Sequence, residues 1–242
     1  MPRFRPRALP TIGVALGAVV FGALGTWQLR RLSEAEEARV EWSARLAAPP
    51  FDATAPPGDP DVRRARVFGS PDWDRYLLLP NKVWGSQPGY ELVVPVRTAG
   101  PVVLVNVGWV PADAVENLVA RERAAGGDRL YEGLSRVYAE SPDAGEGMPS
   151  EADGFRRYWR AISPDAMGQG VDVAPFAVVE GEALPERGVG PDEEPPIGGW
   201  RAAPRERPHL EYALTWFAIL LSLIALWVHG SFQAGVNKEE RG

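Results

Sequence analysis

The sequence predicts a membrane protein in which two transmembrane helices flank a mainly antiparallel β domain of the α+β class. Three observations predict this fold class. Long uncharged apolar runs lie near both termini of the 242-residue chain. Runs of β-branched residues separated by turn residues fill the middle of the chain. A basic segment precedes the first apolar run, which favours a cytoplasmic N-terminus and an extracytoplasmic domain.

The boundaries of these parts follow from the charge pattern. Two spans leave both termini on one side of the membrane, and the part between them is long enough to bury a core of its own. Basic residues are of similar number on both sides of the spans, so the orientation rests on the basic N-terminal segment. The predicted parts are a cytoplasmic N-terminus at 1–7, a first transmembrane helix at 8–28, an extracytoplasmic domain at 47–208, a second transmembrane helix at 209–229 and a cytoplasmic tail at 230–242.

The first apolar run covers residues 8–27 and is long enough to cross a bilayer at about 1.5 Å per residue. It exceeds the usual core of a cleaved signal peptide, so an uncleaved anchor is favoured, although small residues at 23–25 offer a cleavage site. Helix-forming residues continue the helix to about Leu46, before two prolines. Gly13 and Gly17 form a small-residue pair that would let another helix approach closely, but glycine is also common in such spans.

The second apolar run, residues 212–228, carries no charge, and Trp216 and Trp227 suit the two membrane interfaces. The two histidines of the chain lie at its ends, as His209 and His229. They are 20 positions apart, or roughly 30 Å along a helix. One chain therefore cannot use both histidines on the same metal ion or haem.

The strand pattern of the middle segment predicts a sheet with one or two helices. Two β-branched runs on either side of the turn at 99–101 indicate a hairpin, in which Pro95 indicates an edge or a bulge. A helix is expected from about 112 to the glycine pair at 126–127, and Ser163-Pro164 begins a short one. The segments 47–61, 81–89 and 185–208 are interpreted as a linker, a connection and a tether. The predicted strands are residues 66–69, 76–79, 91–97, 102–110, 129–138 and 176–180.

Composition excludes several classes of function. The chain has no cysteine and a formal charge of −6, which disfavours thiol chemistry, thiolate metal sites and nucleic-acid binding. No nucleotide-binding or zinc-protease motif is present, and no histidine precedes His209, so we expect no enzyme. A hydrolase that uses paired carboxylates is the weakest alternative.

His209 is the residue that stands out, because imidazole is a good haem-iron ligand. The alternative is that it is an interfacial polar residue. If the two spans lie side by side, Trp27, Gln28 and Tyr212 lie near His209, either as a ligand-binding cluster or as plain helix packing with polar contacts.

Four short motifs occur in order along the chain, together with the two-span layout. They are Gly25-Thr26-Trp27-Gln28, Gly89-Tyr90-Glu91-Leu92-Val93-Val94-Pro95, Val105-Asn106-Val107-Gly108-Trp109-Val110-Pro111 and His209-Leu210-Glu211-Tyr212-Ala213-Leu214-Thr215-Trp216-Phe217. In these motifs the chain resembles the surfeit-locus family of cytochrome c oxidase assembly proteins, over nearly its whole length.

The resemblance implies a multi-pass protein of the bacterial cytoplasmic (inner) membrane, with its large domain on the outer, periplasmic side. It implies a membrane-bound assembly factor for haem-copper cytochrome c oxidase that assists haem a binding and insertion into oxidase subunit I. The family's histidine maps onto His209 as the ligand of the haem iron, with Trp27, Gln28, Tyr212 and Trp216 as the expected wall. Expected partners are oxidase subunit I, a haem a synthase and membrane lipid, with no nucleic acid. The alternative is a haem-independent scaffold that stabilises the nascent oxidase subunit.

The chain departs from the family pattern at three positions. Val107 stands where the family commonly has an arginine, Pro208 stands where it has a polar residue, and Glu211 replaces a glutamine. A carboxylate beside the expected haem site would alter the local electrostatics, so these departures bear on how His209 would bind iron.

Overall fold

The computed structural model describes residues 4–184, 194–201 and 208–239. Long apolar helices at the two ends of the chain flank a β-rich domain. The chain divides into two compact units, one made of residues 1–41 with 204–242 and the other of residues 42–203. The four α-helices of the described residues are α1 (Ala8–Ala47), α2 (Val115–Ala125), α3 (Pro164–Gly168) and α4 (His209–Glu239).

The unit that holds the terminal helices contains both apolar runs. Helix α1 and the part of α4 from His209 to Phe232 are each long and apolar enough to cross a membrane. They pack antiparallel, because Thr11 of α1 contacts Trp227 of α4 and Gln28 contacts His209. Helix α1 runs well past its apolar part and ends at Ala47, close to the expected end at Leu46 and just before the two prolines.

The other unit is built on a seven-stranded sheet in the order β1-β2-β6-β7-β5-β4-β3. Pairing is antiparallel except between β1 and β2 and between β5 and β7. The end of β2 also pairs with β4, at Ser70 opposite Arg97, so the sheet closes on itself. A two-stranded parallel sheet joins β8 to β9. The strands are β1 (Phe51–Asp52), β2 (Arg63–Pro71), β3 (Leu77–Trp84), β4 (Gln87–Arg97), β5 (Val102–Pro111), β6 (Arg129–Val137), β7 (Val173–Glu180), β8 (Ala183–Leu184) and β9 (Trp200–Arg201).

Two apolar clusters stabilise this sheet, one on each of its faces. The inner one includes Val94, Val105 and Phe176, all fully buried. The outer one includes Leu104 and Trp159 and is covered by the segment that contains α3. Both faces of the central strands are therefore buried, which is why β5 has the near-continuous apolar sequence that made it the clearest strand in the chain.

The structure confirms the predicted hairpin, since β4 and β5 pair antiparallel. It also confirms the helix that ends at Gly126 and Gly127, which have φ angles of +54° and +80°. Of the edge or bulge that Pro95 indicates, the edge is wrong, because β4 has strands on both sides, while the register of β4 with β5 does shift between Leu92 and Val93. Pro95 lies between the residues that pair with β3 and those that pair with β2, so its missing N–H removes no ladder hydrogen bond.

Three segments interpreted as irregular contain strands, among them the tether 185–208, which contains β9. Residues 81–89 are a hairpin rather than a connection, because Lys82 pairs with Gly89 and Trp84 with Gln87 around a two-residue turn. Asn81, whose φ is +62°, lies at a bulge that shifts the register of β3 with β4. Gly85 and Ser86 form the tight turn. The linker 47–61 contains β1. Of the tether 185–208, residues 185–193 and 202–207 lie outside the described residues.

The family-like motif in β5 has a structural explanation. Asn106 is buried, its Oδ1 accepts a hydrogen bond from the backbone N–H of Gly108 at 3.0 Å, and its Nδ2 donates to Glu91 at 3.3 Å. Gly108 has a φ of +116°, and a Cβ there would lie 2.3 Å from the carbonyl oxygen of Ile197. Only glycine therefore lets the segment around Ile197 pair with Trp109, which it does through two backbone hydrogen bonds.

A titratable carboxyl group ends strand β7. Glu180 pairs across the sheet with Gly133, and burial raises its pKa to about 7, against a partial lowering by Arg129. The folded protein therefore holds the Glu180 proton more tightly than the unfolded chain does. The protonated group contributes its full stability below the unfolded pKa of 4.5 and loses it as the pH rises towards 7.

We predict that Glu180→Gln removes this pH dependence. Between pH 4.5 and 7 the wild type should lose up to about 3 kcal/mol of stability relative to the variant, at 1.36 kcal/mol per pKa unit. Melting temperatures of the purified full chain at pH 5 and pH 7.5 would measure the difference. Glu132→Gln, at an exposed carboxylate on the neighbouring strand, is the matched control and should keep the wild-type slope. An unchanged slope in Glu180→Gln would contradict the assignment.

Candidate functional site

The candidate site lies on the two long helices, and their close approach creates it. Gly25 is the one buried residue of α1, and an added Cβ there would lie 2.6 Å from the ring of Phe217 on α4. Two turns earlier, a Cβ on Gly17 would lie 2.4 Å from Leu223. The two glycines let the large side chains of α4 lie against the backbone of α1, which fixes the antiparallel register of the pair.

This register brings two polar side chains together. His209 is the first residue of α4 and is partly buried, and Gln28 lies on α1 one turn beyond Gly25. The Nδ1 atom of His209 is 2.9 Å from the Oε1 atom of Gln28. The sequence prediction that these two residues are neighbours is confirmed.

The chemistry of this contact selects one form of the imidazole. An amide oxygen can only accept a hydrogen bond, so the Nδ1 of His209 is the donor. In the neutral ring the other nitrogen, Nε2, then carries the lone pair. Histidines that bind metals commonly donate their second N–H to an oxygen in this way, because the hydrogen bond orients the ring and raises its basicity.

The other residues predicted for the site lie in different surroundings. Trp216 lies seven positions after His209 on α4 and stacks on Phe21 of α1, with ring centroids 5.9 Å apart. Trp27 is 50% exposed, with the guanidinium of Arg31 at 5.8 Å from its ring, and Tyr212 is 53% exposed. Trp216 therefore shares the contact face of the helix pair, while Trp27 and Tyr212 lie on exposed helix surfaces.

The donor set at this site suits a haem better than a bare metal ion. Among the described residues, no group of three or more His, Cys, Asp or Glu side chains is placed to hold an ion. A single oriented imidazole cannot form a protein cage around a metal, but it can serve as an axial ligand of an iron that already has four porphyrin nitrogens. The residues at His209 thus fit a haem with one ligand from this chain.

The far end of the helix pair has different chemistry. The indole Nε1 of Trp227 donates to the hydroxyl of Thr11 at 3.1 Å, and the ring of Phe4 packs edge-on against Trp227. His229 is exposed at this end. The aromatic and hydroxyl contacts hold the helices together there, and the separation of the two histidines excludes a shared ligand, as the sequence predicts.

Sequence reasoning missed the packing role of Gly25 and Phe217. It noted Gly13 and Gly17 as a pair for close approach, but a Cβ on Gly13 would meet nothing within 4 Å. The spacing that matters is Gly17, Phe21 and Gly25, four residues apart on one face of α1. This small–large–small pattern on the face that also carries Gln28 was the available signal.

Comparison with known proteins gives matches over most of the chain. A model of the SURF1 family matches residues 15–221. A SURF1-like protein of Monosiga brevicollis is 29% identical over 89% of this chain and 84% of its own length. A SURF1-like protein of Rickettsia conorii is 27% identical over 85% of this chain and 84% of its own. Surfeit locus protein 1 of Xenopus tropicalis is 25% identical over 85% of this chain and 70% of its own.

We predict that Gly25→Ala lowers the stability of the helix pair by about 1–3 kcal/mol, because the new methyl group overlaps the Phe217 ring. Gly22→Ala, three residues away on the same helix, is the matched control, because a Cβ there meets nothing within 4 Å. Thermal unfolding of the full chain in lipid nanodiscs would measure both effects.

Gly25→Ala made in a Phe217→Ala background should not lower the stability of the helix pair further, because the ring that the new methyl group meets has been removed. Equal effects of Gly22→Ala and Gly25→Ala, or an undiminished effect of Gly25→Ala without Phe217, would contradict this packing.

Proposed function

The chain belongs to the SURF1 family, and from this premise we propose that it is a membrane-bound assembly factor for haem-copper cytochrome c oxidase. It assists haem a binding and the insertion of haem a into oxidase subunit I, as a binding protein rather than an enzyme. The observation that supports the proposal is the 2.9 Å contact between the Nδ1 of His209 and the Oε1 of Gln28, because a donor at Nδ1 leaves Nε2 available as a ligand atom.

We also propose that the chain spans a membrane through its two long helices. Helices α1 and α4 have the length and hydropathy of spanning helices, and most of their surface is exposed in the chain alone, as lipid-facing surface would be. The basic N-terminal segment favours a topology with both chain ends in the cytoplasm and the β domain on the outer face of the bacterial cytoplasmic membrane. His209, the first residue of α4, then lies at the outer interface.

The residues of this chain have distinct tasks in the proposed site. His209 would hold the haem iron through Nε2, and Gln28 would keep the ring in the tautomer and orientation that this needs. The stacked rings of Trp216 and Phe21 provide an apolar wall two turns further along the helices. When bound, haem a supplies the redox-active iron that the oxidase uses.

A single imidazole ligand suits a carrier. The only other histidine of the chain is roughly 30 Å away along the helix, so one chain would offer a bound haem a single imidazole. Oxidase subunit I is the proposed recipient, a haem a synthase the proposed source, and membrane lipid surrounds the helices.

A scaffold without haem is the second candidate function. The same hydrogen bond between Gln28 and His209 satisfies two polar side chains between helices, which is the role of polar contacts in many membrane proteins. In that case the helices and the sheet stabilise the nascent oxidase subunit through protein contacts alone.

We predict that the protein purified from cells that make haem a carries haem a, and that His209→Ala removes at least about nine-tenths of it. Gln28→Leu keeps the size of the side chain but loses the acceptor, and should weaken haem binding by about 10- to 100-fold. The reduced visible spectrum and the pyridine haemochrome of the preparation would measure the haem content.

His229→Ala is the matched control, because it removes the other histidine of the same helix and should leave the spectrum unchanged. Haem retained in His209→Ala would contradict the ligand assignment. A wild type without haem, from cells that synthesise haem a and with oxidase assembly intact in His209→Ala, would favour the scaffold.

A further inference from the structure

A cleft opens on the outer face of the sheet, where the first residues of β3 and β5 meet the segment between α3 and β7. Its volume is about 530 Å³, within the range of sites for small organic ligands. All residues that line it belong to the β-rich unit, so the cleft is separate from the helix pair that carries His209.

The floor of the cleft is apolar and rigid. It is formed by Leu77, Leu104, Phe155 and Met167, each less than 9% exposed and part of the outer apolar cluster. One wall is formed by Gln169, whose side chain is fixed by two hydrogen bonds to the backbone of Arg156. The Gln169 side chain accepts a hydrogen bond from the N–H of Arg156 at 2.6 Å and donates one to the carbonyl oxygen of Arg156 at 3.0 Å. The cleft is therefore preformed, which lowers the entropic cost of binding.

The rim of the cleft is cationic. The guanidinium of Arg75 lies 5.1 Å above the ring of Phe155, and within the described ranges of the chain no carboxylate is at ion-pair distance from it. Arg97 pairs with Asp72 at 3.5 Å and is itself largely exposed. Two guanidinium groups and one carboxylate thus lie at the mouth of an apolar cleft, on a chain with a net charge of −6.

The arginine rim and the apolar floor together favour a ligand that has a carboxylate at one end and an apolar group at the other. A guanidinium forms paired hydrogen bonds with a carboxylate, and those bonds are stronger beside a low-dielectric surface. The apolar floor has no donor or acceptor side chain to satisfy a polar ligand body. We propose that the cleft binds a small organic acid, with its apolar group on the floor and its carboxylate at Arg75 and Arg97.

The proposal commits to a small molecule, because the enclosed volume accommodates one ring or a short alkyl chain rather than a peptide segment. It does not depend on the proposed haem function. Its failure would leave the His209 site untouched, and loss of haem binding would leave this cleft intact.

The test uses 3-(4-fluorophenyl)propionate as the probe and the full chain in lipid nanodiscs. Broadening of the fluorine NMR signal measures binding, and empty nanodiscs correct for partition into lipid. We expect saturable binding of the propionate. The neutral propionamide of the same shape should bind at least about tenfold more weakly, because it cannot form the charge-assisted hydrogen bonds.

Variants assign the binding to the cleft. Arg75→Gln should weaken binding of the propionate by about tenfold and leave the amide unaffected. Arg64→Gln, at an exposed arginine on β2 outside the cleft, is the matched control and should bind as the wild type does. Equal affinity for acid and amide, unchanged binding in Arg75→Gln, or no saturable binding would each overturn the proposal.

Discussion

The close approach of α1 and α4 at Gly25 is the constraint on which the candidate site depends. The ring of Phe217 occupies the space that any larger residue at Gly25 would take. Because the helices approach there, Gln28, one turn beyond Gly25, and His209, about two turns before Phe217, reach hydrogen-bond distance. Dispersion contacts along the glycine face and a few interhelical hydrogen bonds are the interactions available to hold helices together in lipid. The residues that pack the two helices together therefore lie next to the residues of the candidate site. Gln28, which orients the imidazole, is also part of the contact between the helices.

The β domain depends on a different kind of constraint, the closing of one sheet on itself. Both faces of β4 and β5 are buried, and the buried amide of Asn106 with the positive φ of Gly108 lets an extended segment pair with Trp109. This segment belongs to the part of the chain that leads towards α4. Two polar features of this domain are the largely buried carboxyl group of Glu180 and the arginine rim of the outer cleft.

Much of the architecture follows from local sequence. The two apolar helices, the hairpin of β4 with β5 and the glycine end of α2 have strong local signals, and the structure confirms them. The hairpin at 81–89 was missed because its pairing depends on neighbouring strands, while its turn residues by themselves indicate a loop.

At the site, the two-span layout predicted that His209 and Gln28 are neighbours. Gly25 and Phe217 were missed because their fit depends on the register between helices, which neither helix specifies alone. The cleft joins residues from β3, β5 and the segment before β7, and no local pattern marks it.

The proposed site requires that Gln28 orients the imidazole of His209 so that Nε2 is available to bind iron. Nitrogen-15 NMR of the imidazole ring in haem-free protein tests it most directly, in lipid nanodiscs at a pH where the ring is neutral. Since the chain has only two histidines, a His229→Asn variant leaves the signals of His209 alone. We expect a protonated Nδ1 and an unprotonated Nε2, and a mixture of tautomers once Gln28 is replaced by leucine. A protonated Nε2 in the parent protein, or signals that Gln28→Leu leaves unchanged, would contradict it.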